Sequence, residues 1–381
     1  MGFKQIINNF RLKKVFLKEW ISYNINMINA FCDKYIMHHK VINWYKWYPV
    51  YTTMVPPIFS EASAKFMWIS MFAAMFNKEV PFYVNIALTD KCNASCPHCS
   101  FYWEDWVYDK NKKTLEVWEF KKLVCDLQDM WASLIWFVWW EPLMNKWFEQ
   151  ILASIDYKKS STLLFTNWFF LEENLKMLDK NNLTSIAISI DSYDLEKHEQ
   201  LRWIKWLSNK ILSAIKEAKK YDFTLAMSTY ISPENISDFP KYMDLAKKLG
   251  FHEVILFPSF PSWKLSKEKL YEDKIKFENL GKTIKVYNED NDYPWIYWYS
   301  YVSSNKSIWC QWGKKYLYIS PYWDVAHCDF FNKTYWNVLK ENISDIFYKT
   351  AIKNKDITSC SLITPVVSKE QIKKAKEIFN N

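Results

Sequence analysis

Cys92, Cys96 and Cys99 lie together in the segment CNASCPHC. Thiolates spaced this closely on one loop can hold three irons of a [4Fe-4S] cluster, and the missing fourth protein ligand leaves one iron open to a small molecule. An open coordination position is what separates a reactive metal centre from a structural one. The competing chemistry is a zinc site, for which His98 would supply a fourth ligand in a tight geometry. Cys310, Cys328 and Cys360 form a second set towards the C-terminus, with structural zinc or leftover thiols as its plainer reading. Cys32 and Cys125 occupy apolar positions in helical patterns and read as core residues.

Downstream of the cysteine loop, Phe137 to Trp147 reads FVWWEPLMNKW. The paired Trp139 and Trp140 belong to a chain-wide anomaly: 22 Trp against 4 Gly in 381 residues. A domain usually carries about 7% glycine, which is about the share the two types make up together here. The positions agree with the count. Trp168 follows Thr166 and Asn167, where Asn-Gly is the expected turn pair, and Trp323 stands in SPYWDV between two strand-like runs. Trp336 precedes Asn337, and Trp312 neighbours Gly313. An indole has no reason to gather at turns, whereas glycine does because it tolerates positive φ. We read the pattern as UGA codons translated as tryptophan in a source that decodes them as glycine. The alternative is a chain truly rich in tryptophan; Trp118, in a helical pattern, is compatible with both.

The elements that must carry these residues are legible from periodicity. Residues 1–80 read as a helical extension, with apolar spacing in FRLKKVFLKEWISYNINMINAFCDKYI and a Pro-Pro segment near its end. From Pro81 onward short apolar runs alternate with amphipathic stretches. FYVNIAL, SLIWFV, TLLFT, TSIAISI, FTLAMSTY and EVILF are strand candidates; LEVWEFKKLVCDLQDM, LEENLKMLDK, NKILSAIKEAKKY and DFPKYMDLAKKLG lie among them as helices. Six such repeats predict a parallel α/β sheet, a partial (β/α)6 TIM-like barrel with its reactive face at the C-terminal strand ends. The expected division is 1–80, a core over 81–290, and a small β-hairpin plus helix domain over 300–381. KYLYIS and DVAHCDFF would form that hairpin, and the aromatic run NDYPWIYWYSYV reads as core or as a substrate entrance.

The cysteine loop after the first strand, His98 before its last cysteine, and FVWWEPL read as Gly-Gly-Glu-Pro after the second strand resemble the radical S-adenosylmethionine superfamily over Pro81 to Lys264. The resemblance implies an enzyme with a [4Fe-4S] cluster on Cys92, Cys96 and Cys99, and S-adenosyl-L-methionine as cofactor. It implies that the backbone at Trp139, Trp140 and Glu141, with Pro142 closing the motif, meets the cofactor's amino group, where only glycine allows the approach. Thr166 and Asn167 end strand three, and Ser189 and Asp191 would reach the ribose and methionine parts. Arg202 would pair with the methionine carboxylate, and main chain at Phe257 and Pro258 would lie near the adenine. The stretch from Cys310 resembles the SPASM or twitch auxiliary-cluster domain, which implies Cys310, Cys328 and Cys360 as ligands of a second cluster, with His327 or Asp329 as a further one. A full SPASM domain brings seven cysteines, so this form is reduced. The molybdenum-cofactor cyclase branch also uses three C-terminal cysteines, but its close spacing and Gly-Gly tail are absent.

The activity so implied is reductive cleavage of S-adenosylmethionine to a 5′-deoxyadenosyl radical, which abstracts hydrogen from a peptide or small-molecule substrate in peptide modification or cofactor maturation. An external electron donor of flavodoxin or ferredoxin type is expected. The rival reading is a non-catalytic iron-sulfur binding protein. The net charge of +8 is spread along the chain, which argues against a nucleic-acid partner. No apolar run reaches the roughly 18 residues of a membrane span, and the basic N-terminus lacks a signal peptide's apolar core. A cytoplasmic protein is expected, whose reduced thiols favour metal ligation over disulfides.

Overall fold

The computed structural model describes residues 40–99, 116–232, 234–258, 274–302, 313–326, 328–330, 334 and 336–353. All but Lys40 belong to one unit, Val41–Asn381. It begins with a hairpin of β1 (Asn43–Tyr45) and β2 (Tyr48–Val50), followed by a helix, Glu61–Met75. A helix was expected before the Pro-Pro segment, but NWYKWYPV is rich in aromatic residues, which suit a pleated ribbon.

Short aliphatic runs buried on both faces then make the central sheet. β3 (Tyr83–Ile86), β4 (Leu134–Phe137), β5 (Ser161–Thr166), β6 (Ser185–Ser189), β7 (Thr224–Ile231) and β8 (Glu253–Pro258) pair in parallel in chain order. These are the six expected strands. The aromatic run supplies a further parallel strand, β9 (Trp295–Trp298), beside β8. At the other edge β10 (Tyr316–Ile319) pairs in parallel with β3, and β11 (Asp324–Ala326) and β12 (Trp336–Asn337) continue antiparallel. The expected C-terminal hairpin therefore extends the same sheet.

Helices Val117–Asp129, Leu171–Lys180, Leu207–Ala218 and Phe239–Leu249 return the chain between strands. Each buries one stripe; in Leu171–Lys180 it is Leu171, Leu175 and Leu178. Strand alternation divides the core in two. Ile135 and Phe137 face the helices, whereas Trp136 and Val138 join Leu163, Ala187, Ala226 and Ile255 on the inner face. Cys125 is exposed and not a core residue, because Val117–Asp129 buries Phe120, Leu123, Val124 and Leu127 instead; Cys32 lies outside the described residues.

The strand starts are clasped by the N-terminal segment. Thr52 Oγ1 donates to Glu253 Oε1 at 2.5 Å, and Thr53 N (3.0 Å) and Oγ1 donate to Oε2, so this fully buried carboxylate is satisfied. Asn43 Nδ2 donates to Phe223 O at 3.2 Å and Thr224 Oγ1 at 3.1 Å. Beside them His252 Nδ1 accepts from Leu225 N at 3.0 Å, and burial, aided by Lys219, lowers its pKa to about 4. A base that protonates more readily unfolded than folded gives stability that is complete above about pH 6.5 and lost as pH falls towards 4. His252→Asn keeps an acceptor but cannot titrate. Urea unfolding at pH 7 and pH 4.5 should show a pH-dependent loss smaller by about 2 kcal/mol in the variant; an equal loss in both proteins would remove His252 from the account.

Candidate active site

The C-terminal ends of the parallel strands open into a cavity of about 200 Å³. In parallel α/β sheets the loops at these ends converge and carry the chemistry. The loop after β3 brings Cys92, Cys96 and Cys99 to the cavity wall. Burial pushes the thiol of Cys92 up to about 11 and that of Cys96 to about 12, so each holds its proton until a cation displaces it. Ala94 N lies 3.4 Å and Asn167 Nδ2 3.8 Å from Cys92 Sγ, and such N–H donors stabilise a charged sulfur. Three thiols on one loop, with two N–H donors aimed at the sulfur of Cys92, suit an iron-sulfur cluster. His98, the residue a zinc site would need, is engaged elsewhere: its Nε2 lies 3.3 Å from Asp191 Oδ1 and its ring stacks on Tyr230 at 4.3 Å. Cys96, His98 and Asp191 still put possible ligand atoms within 4.8 Å of one another.

Glu141 is fully buried and ties three segments together. Its Oε1 accepts from Thr166 Oγ1 at 2.8 Å and Leu143 N at 3.2 Å, and its Oε2 accepts from Asn167 N at 2.7 Å. Its own N–H donates to Lys91 O at 3.1 Å, next to Cys92. Burial raises its pKa to about 7 against these donors. Pro142 opens a single 3-10 turn, Pro142–Met144. Neither side chain lines the cavity; Trp139, Trp140, Thr166, Asn167 and Ser189 do. Asn167 Nδ2 also donates to Asn93 Oδ1 at 2.7 Å, fixing the cysteine loop.

Asp191 and Arg202 both reach the cavity, but they pair with each other: Nε donates to Oδ2 at 2.6 Å and a terminal guanidinium nitrogen to Oδ1 at 3.0 Å. Burial pushes Asp191 up, yet Arg202, His98 and His198 around it hold its carboxyl well below the usual range. The guanidinium fork expected for a methionine carboxylate thus already carries a bidentate partner. His198 was unassigned from sequence; its Nδ1 accepts from Asp191 N at 3.0 Å. The signal was its spacing four residues before Arg202, which stacks the two on one helix face. Phe257 and Pro258 line the cavity. Cys328 is buried after β11, with Sγ donating to Asp329 Oδ1 at 3.6 Å, whereas Cys310, His327 and Cys360 lie outside the described residues.

Backbone angles bear on the tryptophans. Among the described residues, eleven other than glycine stand at positive φ, and seven of them are Trp: 131, 139, 140, 168, 203, 206 and 323. Indoles gain nothing from this region, which costs a residue with a Cβ about 1–2 kcal/mol. Trp203 ends helix Leu195–Arg202 at φ 58°, the cap that Gly250 provides at φ 70° for Phe239–Leu249. Trp168 and Trp323 are buried with indole N–H groups lacking a partner. Trp336 differs, being a strand residue with no positive φ. Trp203 is 78% exposed, so its side chain contributes little packing. Trp203→Gly is therefore expected to raise stability by about 1 kcal/mol in thermal unfolding, where glycine normally weakens an exposed helical site.

The family model Radical SAM superfamily matches residues 86–246. The chain is 21% identical over 257 residues to the PqqA peptide cyclase of Granulibacter bethesdensis, covering 66% of this chain and 68% of that protein. It is 25% identical over 191 residues to the GTP 3′,8-cyclase of Aquifex aeolicus, covering 48% of this chain and 60% of the relative. Streptococcus suis SuiB bound to S-adenosylmethionine has a similar fold, with a TM-score of 0.60 at 12% identity over 76% of this chain and 72% of SuiB. The family uses a [4Fe-4S] cluster and S-adenosylmethionine, and its homologues here are enzymes. With three thiols on the loop after β3 and a similar fold around them, residues 86–246 of this chain match the Radical SAM superfamily model and resemble its members in sequence and fold.

Proposed function

We propose that the protein is a radical S-adenosylmethionine enzyme acting on a peptide or on a small precursor in cofactor maturation. The observation that carries this is that Cys92, Cys96 and Cys99 share the cavity wall with Thr166 and Asn167, which the buried Glu141 ties in place from behind. Cys92, Cys96 and Cys99 would hold the cluster, which would supply the one-electron reduction that splits S-adenosylmethionine into methionine and a 5′-deoxyadenosyl radical able to take hydrogen from the substrate. The chain's residues do the positioning. Glu141 fixes the ends of β4 and β5 against the cysteine loop; Arg202, neutralised by Asp191, sets the polar edge at β6; and the aromatic inner face excludes water.

Trp139 and Trp140 are read as glycine positions, and with them the other five tryptophans at positive φ; their backbone angles and the low glycine count support this. The peptide branch is favoured because the similarity to a peptide cyclase extends over 66% of the chain. Residues 300–381 would form a reduced auxiliary-cluster domain in which Cys328, buried beside the cavity-lining Asp329, is one ligand. Among the described residues no helix is long and apolar enough to cross a membrane. A cytoplasmic enzyme served by a flavodoxin- or ferredoxin-type donor fits this reading.

The test is anaerobic reconstitution with iron and sulfide of the chain carrying glycine at the seven positions, followed by S-adenosylmethionine and a strong reductant. 5′-Deoxyadenosine is expected, and none from the same chain with Cys92, Cys96 and Cys99 replaced by alanine. A reconstituted protein that holds its cluster and leaves the cofactor intact would instead be the non-catalytic iron-sulfur binder.

A further inference from the structure

The cavity has a second, aromatic wall, which shares only Phe257 with the residues expected near the cofactor. Trp136, Phe165, Phe257, Tyr299 and Phe330 follow one another around it, with successive ring centroids 6.4, 6.2, 5.1 and 6.1 Å apart. Against this aromatic basket stands one polar pair. Asn85 Nδ2 donates to Asp329 Oδ2 at 2.9 Å, and both residues are 4% exposed. That bond leaves Asn85 Oδ1 buried with no partner, which is costly unless a bound group supplies a donor.

The Trp139 indole shows what such a group would look like. Its Nε1 donates to Asp329 Oδ2 at 3.0 Å, and its ring meets Phe330 edge-on at 5.3 Å. If position 139 is glycine, the indole leaves a flat apolar space with a carboxylate and an amide oxygen at one edge. Without the indole, Asp329 Oδ2 keeps Asn85 as its side-chain donor, and a buried carboxyl oxygen favours a further one.

We propose that this basket is the substrate subsite, and that it takes a planar or apolar group bearing N–H donors, which it offers to Asp329 and Asn85 while the rings hold its apolar faces. The inference rests on the radical enzyme reading only in calling the occupant a substrate. The same chemistry could come from a peptide side chain or from a free nitrogenous molecule.

The test is calorimetric binding to the full-length reconstituted protein carrying Trp139→Gly, with Trp139→Ala as a second cavity variant should the first not fold. Indole is the probe, and benzofuran, the same shape with oxygen in place of N–H, is the comparison. Indole should bind about tenfold more tightly, as expected for a hydrogen bond to a buried acceptor. Asp329→Leu in the same background should abolish the difference. Stronger binding of N-acetyltryptophan amide than of indole would assign the subsite to a peptide side chain, and the reverse to a free molecule. Equal binding of indole and benzofuran, or binding of neither by a variant of unchanged melting temperature and iron content, overturns the proposal. Because the readout is binding, failure of S-adenosylmethionine cleavage leaves this result standing.

Discussion

Replacing Trp139 and Trp140 together by glycine is expected to raise 5′-deoxyadenosine formation at least about a hundredfold over the chain carrying both indoles, a factor that even an ångström of misplacement can cost. The argument is steric. Both residues stand at positive φ, 65° and 46°, directly after β4, and both line the cavity. Trp139 is held there by Asp329 and Phe330, so its ring cannot swing out without losing a part-buried hydrogen bond and an edge-on ring contact. Glycine at both places removes two Cβ atoms and two indoles while relieving the backbone. Single-turnover assays on the two reconstituted proteins, matched for iron, make the comparison. Equal turnover would mean that the indoles lie clear of the cofactor and would remove the steric basis for reading them as glycine.

Glu141→Ala is expected to lower folding stability by about 3 kcal/mol and to reduce iron retention after reconstitution. The carboxylate is fully buried and receives Thr166 Oγ1, Asn167 N and Leu143 N. Removing it strands these donors away from water, at about 1–3 kcal/mol for each that finds no replacement, offset in part by the lost burial of a charge. Iron retention should fall because Asn167, once released from Glu141, no longer holds Asn93 and the Cys92 sulfur. Urea unfolding of the metal-free protein separates the stability effect from the iron effect. An unchanged unfolding midpoint would show that the tie is replaceable by water. Glu141→Gln puts an amide N–H against one of the donors, so it should rescue the loss only in part.

The sheet was readable in the sequence because its strands are buried on both faces and therefore appear as continuous aliphatic runs, as in TLLFT and TSIAIS. The β9 run WIYW was ambiguous, since aromatic-rich segments suit a strand, a core patch or a pocket wall alike, and only its pairing with β8 distinguishes them. The β1–β2 hairpin was missed because the helical spacing of the preceding segment was carried too far. Cys125 was misassigned because a cysteine in an amphipathic helix is apolar by type yet here falls outside the buried stripe.

At the candidate site, the sequence alone brought the proposed cluster ligands Cys92, Cys96 and Cys99 together, because three thiols on one short loop are close by chain connectivity whatever the fold. It also singled out Trp139, Trp140, Trp168 and Trp323, through counts and turn chemistry that depend only on local backbone, and these four stand at positive φ. Tertiary structure decided the roles of residues distant in sequence. Glu141 serves as a buried tie to Thr166 and Asn167, Arg202 closes on Asp191, and Asn85 meets Asp329 from 244 residues away. A hydrogen bond is made or lost within a few tenths of an ångström. Local sequence sets which groups can donate and accept; only the parallel packing of β3 to β10 brings the donor and the acceptor to that distance.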